Sequence, residues 1–195
     1  MNGDLRIKLE NYSIELLEQV HPLKESTINV VTVGPAGLYQ EIVYLAKLAK
    51  AGCKQIRLIA IDTQDIVIGP LEDACAELFP ATITICKQYK SLDSYIQEAV
   101  RDETLHPDLL LLIDLTDDKY KVNSQLLSDY SFDQLQDSGL FKNGTVISYT
   151  TFEKERNEDT SRDVLISKVF SGIYKRKVED LSHVSPTCVG HTIFA

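Results

Sequence analysis

The sequence predicts an α/β protein: a doubly wound, mainly parallel sheet with helices on both faces. Three observations predict it. Residues 28–62 read as one strand–turn–helix–strand unit. The run Leu109-Leu-Leu-Leu-Ile113 is apolar without alternation, the pattern of a strand buried on both sides. Strand-like and helix-like periodicities also take turns from Ile28 to Tyr149, as they do when crossover helices link parallel strands.

Each element has its own reason. Ile14, Leu17 and Val20 share one side of a short helix over Ser13 to Val20, which His21-Pro22 ends. Ile28-Asn-Val-Val-Thr-Val33 is a β-rich run stopped by Gly34-Pro35-Ala36-Gly37. An amphipathic helix follows with Leu38, Ile42, Leu45, Ala46 and Ala49 at helical spacing, and Gly52 closes it. Ile56 to Ile61 is the next strand and delivers Asp62 at its end. A helix is expected over Leu71 to Leu78, with Leu71, Cys75 and Leu78 on its buried side, then a strand over Ala81 to Cys86. Ser91 is an N-cap for a helix holding Leu92, Tyr95, Ile96, Ala99 and Val100, and His106-Pro107 breaks the chain before the 109–113 strand. Residues 120–137 make one poorly periodic helix or two short ones, and Asn143-Gly144 turns into a strand over Thr145 to Tyr149. Glu153 to Arg162 reads as an exposed loop, Val164 to Tyr174 as a helix, and Val189 to Ala195 as a short final strand.

The whole chain narrows the function classes. It has 195 residues, 44% of them hydrophobic, enough for one stable core. No apolar run approaches the roughly 20 residues that span a bilayer. The first 25 residues lack the apolar stretch of a secretory signal, so a soluble, cytoplasmic protein is expected. A net charge of −9 argues against nucleic acid as a partner. The basic residues Lys168, Lys175, Arg176 and Lys177 read as a solvated helix face. The four cysteines and four histidines are scattered without metal-ligand spacing, so no metal site is expected.

The candidate site is one edge of the sheet. A parallel strand pair with a crossover helix places the 34–37 turn beside Asp62. Glycines there let a ligand approach the backbone, free N–H groups opening the helix favour a negative group, and a carboxylate at the second strand end suits two ribose hydroxyls. Asp114, with Asp117 and Asp118, follows the fourth strand at the same edge. It would recognise an amine, act as a general base, or simply cap a helix. Tyr149 closes the fifth strand and reads equally as core or site.

On these residues the sequence resembles the class I S-adenosylmethionine-dependent methyltransferase family. The first motif would be Val31-Thr-Val-Gly34-Pro35-Ala36-Gly37, and Asp62 the acidic end of the second strand. The run from Pro107 through Asp114 to Asp117 is similar to the spermidine-synthase branch. The resemblance covers the chain from Ile28 onward. It implies a Rossmann-like domain over residues 28–195 after an N-terminal helical segment, 1–27, with seven strands closing in an antiparallel hairpin. It also implies S-adenosylmethionine bound by Gly34, Pro35, Ala36, Gly37 and Asp62, with Gln88 and Tyr89 at the adenine, and Asp114 as the catalytic carboxylate. The chain departs from the pattern at Thr32, where the family carries an acidic residue, and at Ala36, where a second glycine is expected. No carboxylate follows the third strand until Asp93.

A dinucleotide fingerprint would need glycines in place of Ala36 and Tyr39, and no G-K-[ST] phosphate loop occurs. Three functions stay open: a methyltransferase for a small molecule or protein, an aminopropyl-transferase-like enzyme, and a catalytically silent domain working through protein contacts. Substrate contacts would come from the N-terminal helix and the 151–163 loop.

Overall fold

The computed structural model describes residues 3–35, 38, 41–62, 65, 82–112, 139–142, 144–152, 175–177 and 187–193. In chain order these form α1 (Gly3–Val20), β1 (Thr27–Val33), α2 (Glu41–Lys50), β2 (Gln55–Ile61), β3 (Thr82–Tyr89), α3 (Leu92–Ala99), a 3₁₀ turn (Glu103–Leu105), β4 (Leu109–Leu112), β5 (Val146–Phe152), β6 (Lys175–Lys177) and β7 (Thr187–Ile193). The strands make one seven-stranded sheet in the order β3-β2-β1-β4-β5-β7-β6. β1 to β5 run parallel, and β7 enters antiparallel between β5 and β6. The helices expected over 71–78, 120–137 and 164–174, and the loop over 153–162, fall outside the described residues.

Strand alternation divides the core into two layers. On one face Ile28, Val30, Ile56, Leu58, Ala60, Leu109, Leu111 and Val146 pack with Ile14, Leu16 and Leu17 of α1 and Tyr44, Leu45, Leu48 and Ala49 of α2. On the other, Val31, Val33, Ile59, Ile61, Leu110 and Ile147 pack with Leu92, Tyr95, Ile96 and Ala99 of α3. Helices therefore cover both faces, and β1 and β4 are buried on both sides, as the unalternating apolar run of β4 predicts for that strand.

Two helices differ from their expected form. α1 is longer than its apolar pattern because its buried stripe includes Glu10 and Ser13 alongside Ile14 and Leu17. Partners make those polar groups tolerable. Lys47 of α2 pairs with Glu10 at 2.9 Å, and the Ser13 hydroxyl donates to that of Ser148 at 3.1 Å. Val20 ends on the exposed side. α2 begins at Glu41 rather than Leu38, and its buried stripe is Glu41, Tyr44, Leu45, Leu48 and Ala49, with Ile42 and Ala46 only half-buried. α3 matches expectation, with the Ser91 hydroxyl accepting from the Ser94 N–H at 3.2 Å; Val100 is its exposed C-cap.

At the amino edge, Asp108 stitches the central strands together. Its carboxylate, 3% exposed, accepts from the Asn29 N–H at 2.8 Å and meets Lys142 Nζ at 2.8 Å. Asn29 in turn donates to the carbonyls of Thr104 and His106, at 2.8 and 2.9 Å. The His106-Pro107 break thus sits under β1, where buried polar backbone needs such partners.

Candidate functional site

The carboxyl edge of the sheet is built by register. Val33 is level with Ile61 and Ile61 with Tyr89, so Gly34, Asp62 and Lys90 follow three adjacent strand ends. The ladder runs one step beyond the strands: the Gly34 N–H donates to the Ile61 carbonyl at 2.7 Å, and the Asp62 N–H to the Tyr89 carbonyl at 2.9 Å. Strand order reverses direction at β1, which has β2 on one side and β4 on the other. In open α/β sheets the crevice outside such a reversal is the usual ligand site.

Gly34 has φ +66°, a left-handed backbone that a glycine adopts without a Cβ penalty. Gly34, Pro35 and Asp62 are all half-buried, at the surface of this edge. The Leu38 N–H donates to the Pro35 carbonyl at 2.9 Å, and the Ile42 N–H to the Leu38 carbonyl at 3.1 Å, which leads the turn into α2. Leu38 itself has φ +59° and is fully buried. A branched side chain in that region costs about 1–2 kcal/mol, which the burial of Leu38 in the α1–α2 layer offsets. Helical spacing placed Leu38 in the helix; the structure places it in the turn. Ala36 and Gly37 lie outside the described residues, as do Asp114, Asp117 and Asp118.

Gln88 and Tyr89 are steered by an irregularity in β3. Leu58 is level with Ile85 but Ile59 with Lys87, so Cys86 is an extra residue in the pairing. One inserted residue reverses which face the following side chains take. Tyr89 therefore joins the α3 layer, 4% exposed, edge-on to Tyr95 with ring centroids 5.2 Å apart. Lys87 caps the ring from 4.9 Å and pairs with Glu98 of α3 at 2.5 Å. Burial pushes the Tyr89 phenol above its ordinary pKa, and the bond to Glu98 raises Lys87. Gln88, level with Ala60, is half-buried toward the opposite layer. Lys90 pairs with Asp65, an exposed bond that holds the Asp65 carboxyl below the usual range. The structure thus brings Gly34, Pro35, Asp62, Gln88 and Tyr89 to one edge and buries the Tyr89 ring. Tyr149 pairs with Leu112 within β5.

Sequence reasoning missed Glu41. Its carboxylate is 3% exposed and accepts from the Thr32 hydroxyl at 2.9 Å. The signal was available: Glu41 stands three, four, seven and eight residues before Tyr44, Leu45, Leu48 and Ala49.

No family model matches the chain, and no curated protein does. Solved structures do match. One is a Listeria monocytogenes protein described as a candidate class I S-adenosylmethionine-dependent methyltransferase, with TM-score 0.53 and 13% identity over 96% of this chain and 59% of that one. The fold is methyltransferase-like. Another is WbdD, with TM-score 0.52 and 14% identity over 100% of this chain and 40% of that one. The chain spans less than two thirds of either neighbour's length. A methyltransferase-like fold accounts for the parallel strands β1 to β5 and the antiparallel β7, and identities this low carry the likeness no further than fold. No described helix is long and apolar enough to cross a membrane.

Proposed function

We propose that this chain binds S-adenosylmethionine at the carboxyl edge of β1 and β2 and is a methyltransferase-like protein acting on a small molecule or protein. The observation that carries the reading is the left-handed turn at Gly34 beside the half-buried carboxylate of Asp62, at the point where strand order reverses. The residues present fit the cofactor. Gly34 carries no side chain into the approach, and Asp62 supplies the acceptor a ribose diol needs. S-adenosylmethionine, when bound, supplies an electrophilic methyl group, so the chain's own residues have only to hold it, orient an acceptor and exclude water. Gln88 and the edge around Tyr89 would flank the adenine. In this reading Tyr89 acts through its packing on Tyr95 rather than as a free stacking surface.

Asp114 is proposed as the general base. It stands two residues beyond the end of β4, and loss of a general base costs about 10²–10⁴ in rate. Aminopropyl transfer rests on that same segment alone. The silent-domain reading draws support from Thr32, whose hydroxyl is committed to Glu41 where the family carries an acidic side chain.

The test is a thermal shift with S-adenosylmethionine and with its homocysteine product. A ligand that binds only the native state stabilises it by about 2.7 kcal/mol at a hundredfold excess over Kd. Asp62→Ala should reduce the shift, and absence of any shift at millimolar ligand in the unmodified protein favours the silent domain.

A further inference from the structure

Glu41 and Thr32 face each other across the base of the turn. Thr32 lies two residues before Gly34 and is 1% exposed; Glu41 is the first residue of α2 and is 3% exposed. The hydroxyl of one donates to the carboxylate of the other at 2.9 Å. Between them runs the whole connection from β1 to α2, with both left-handed residues, Gly34 and Leu38. A buried carboxylate is costly, and an apolar residue of similar size is often the more stable choice at such a place. The other buried residues of this helix face, Tyr44, Leu45, Leu48 and Ala49, carry no charge at neutral pH. The first turn of a helix does favour a negative charge, which makes the position tolerable.

We infer that Glu41 and Thr32 form a brace that fixes Gly34 and Leu38 between β1 and α2, and that Glu41 is a positioning residue for the ligand held at Gly34. The inference rests on the proposed cofactor site and adds a buried pair behind it. The bond ties the end of β1 to the first turn of α2, so Gly34 and Leu38 sit between two joined ends before a ligand arrives. Holding the turn in advance lowers the ordering cost of binding. The acidic group expected at position 32 is thus supplied from the helix side of the same turn.

Two measurements on Thr32→Val, Thr32→Ser, Glu41→Met and the Thr32→Val/Glu41→Met double variant test it, at a temperature where every variant is folded. The first is amide hydrogen exchange without ligand. Thr32→Val and Glu41→Met should speed exchange at Gly34, Leu38 and Ile42 while leaving the strand amides of β2 and β4 unchanged, and Thr32→Ser should match the unmodified protein. The second is calorimetric titration with S-adenosylhomocysteine. Each single variant should weaken Kd about tenfold, the scale of one hydrogen bond to a charged group, and Thr32→Ser should restore it. The double variant should be no weaker than Glu41→Met alone, because both changes remove the same bond. Should Thr32→Val not fold, Thr32→Ala replaces it and is read in the same way. Unchanged exchange at the turn overturns the brace. Faster exchange with unchanged Kd overturns the positioning role and leaves a purely structural pair. If the unmodified protein binds no ligand, the cofactor reading and the positioning role both fall, while the exchange data still decide the brace.

Discussion

At the scale of single residues, backbone conformation decides what the site tolerates. Gly34 at φ +66° is the position where a Cβ costs most, because an L-residue there carries about 1–2 kcal/mol of strain. Gly34→Val should lower stability by that amount in chemical denaturation and abolish cofactor binding by blocking the backbone approach. A variant that binds as the unmodified protein does would remove Gly34 from the site. Gly34 and Asp62 were legible because their chemistry is local: a glycine ending a β-rich run and a carboxylate ending the next one. Leu38 and Glu41 were not. Leucine is an apolar helix former, so its spacing to Leu45 and Ala49 read as helix, whereas tertiary burial fixes it in a turn. Glutamate reads as a solvent-facing residue, and its bond to Thr32, nine positions back, helps to make its burial tolerable.

Among the elements, the sequence carried existence and type better than orientation. β1, β2, β4, β5, α3 and the final strand were readable from periodicity, turn residues and the Ser91 cap. The face that Tyr89 takes was not readable, because it depends on the extra residue at Cys86, which leaves no mark on a strand-like pattern. Tyr89 and Tyr95 now form one packed pair, and the Tyr95 hydroxyl donates to the Leu105 carbonyl at 2.8 Å. Tyr89→Ala should therefore destabilise the protein by about 3–5 kcal/mol, as other buried aromatic truncations do. Tyr95→Phe should cost only about 1 kcal/mol, for the single bond lost. Burial raises the pKa of both phenols, so the folded state keeps them neutral. That stabilising difference is fully present below the unfolded tyrosine pKa of about 10 and is lost as pH rises above it. Tyrosinate absorbance should show Tyr95 ionising only with unfolding in strong alkali, and Tyr89 titrating above the ordinary tyrosine range. Titration of every tyrosine below the unfolding transition would contradict the burial of Tyr95.

For the whole molecule, the two edges of the sheet have separate tasks. The amino edge is structural, held by Asp108 with Asn29 and Lys142. Asp108→Ala should cost about 1–3 kcal/mol by leaving the buried Asn29 N–H without its acceptor, yet it should not change cofactor affinity. A large loss of affinity in that variant would mean that the edges are coupled. The carboxyl edge is where we propose the cofactor binds. Calorimetric titration of the unmodified protein and of Asp62→Ala with S-adenosylmethionine, with NAD as the comparison ligand, tests that claim most directly. The account predicts saturable binding of S-adenosylmethionine, weaker binding in Asp62→Ala, and no comparable binding of NAD. No binding of S-adenosylmethionine at millimolar concentration, or affinity that ignores Asp62, would contradict it.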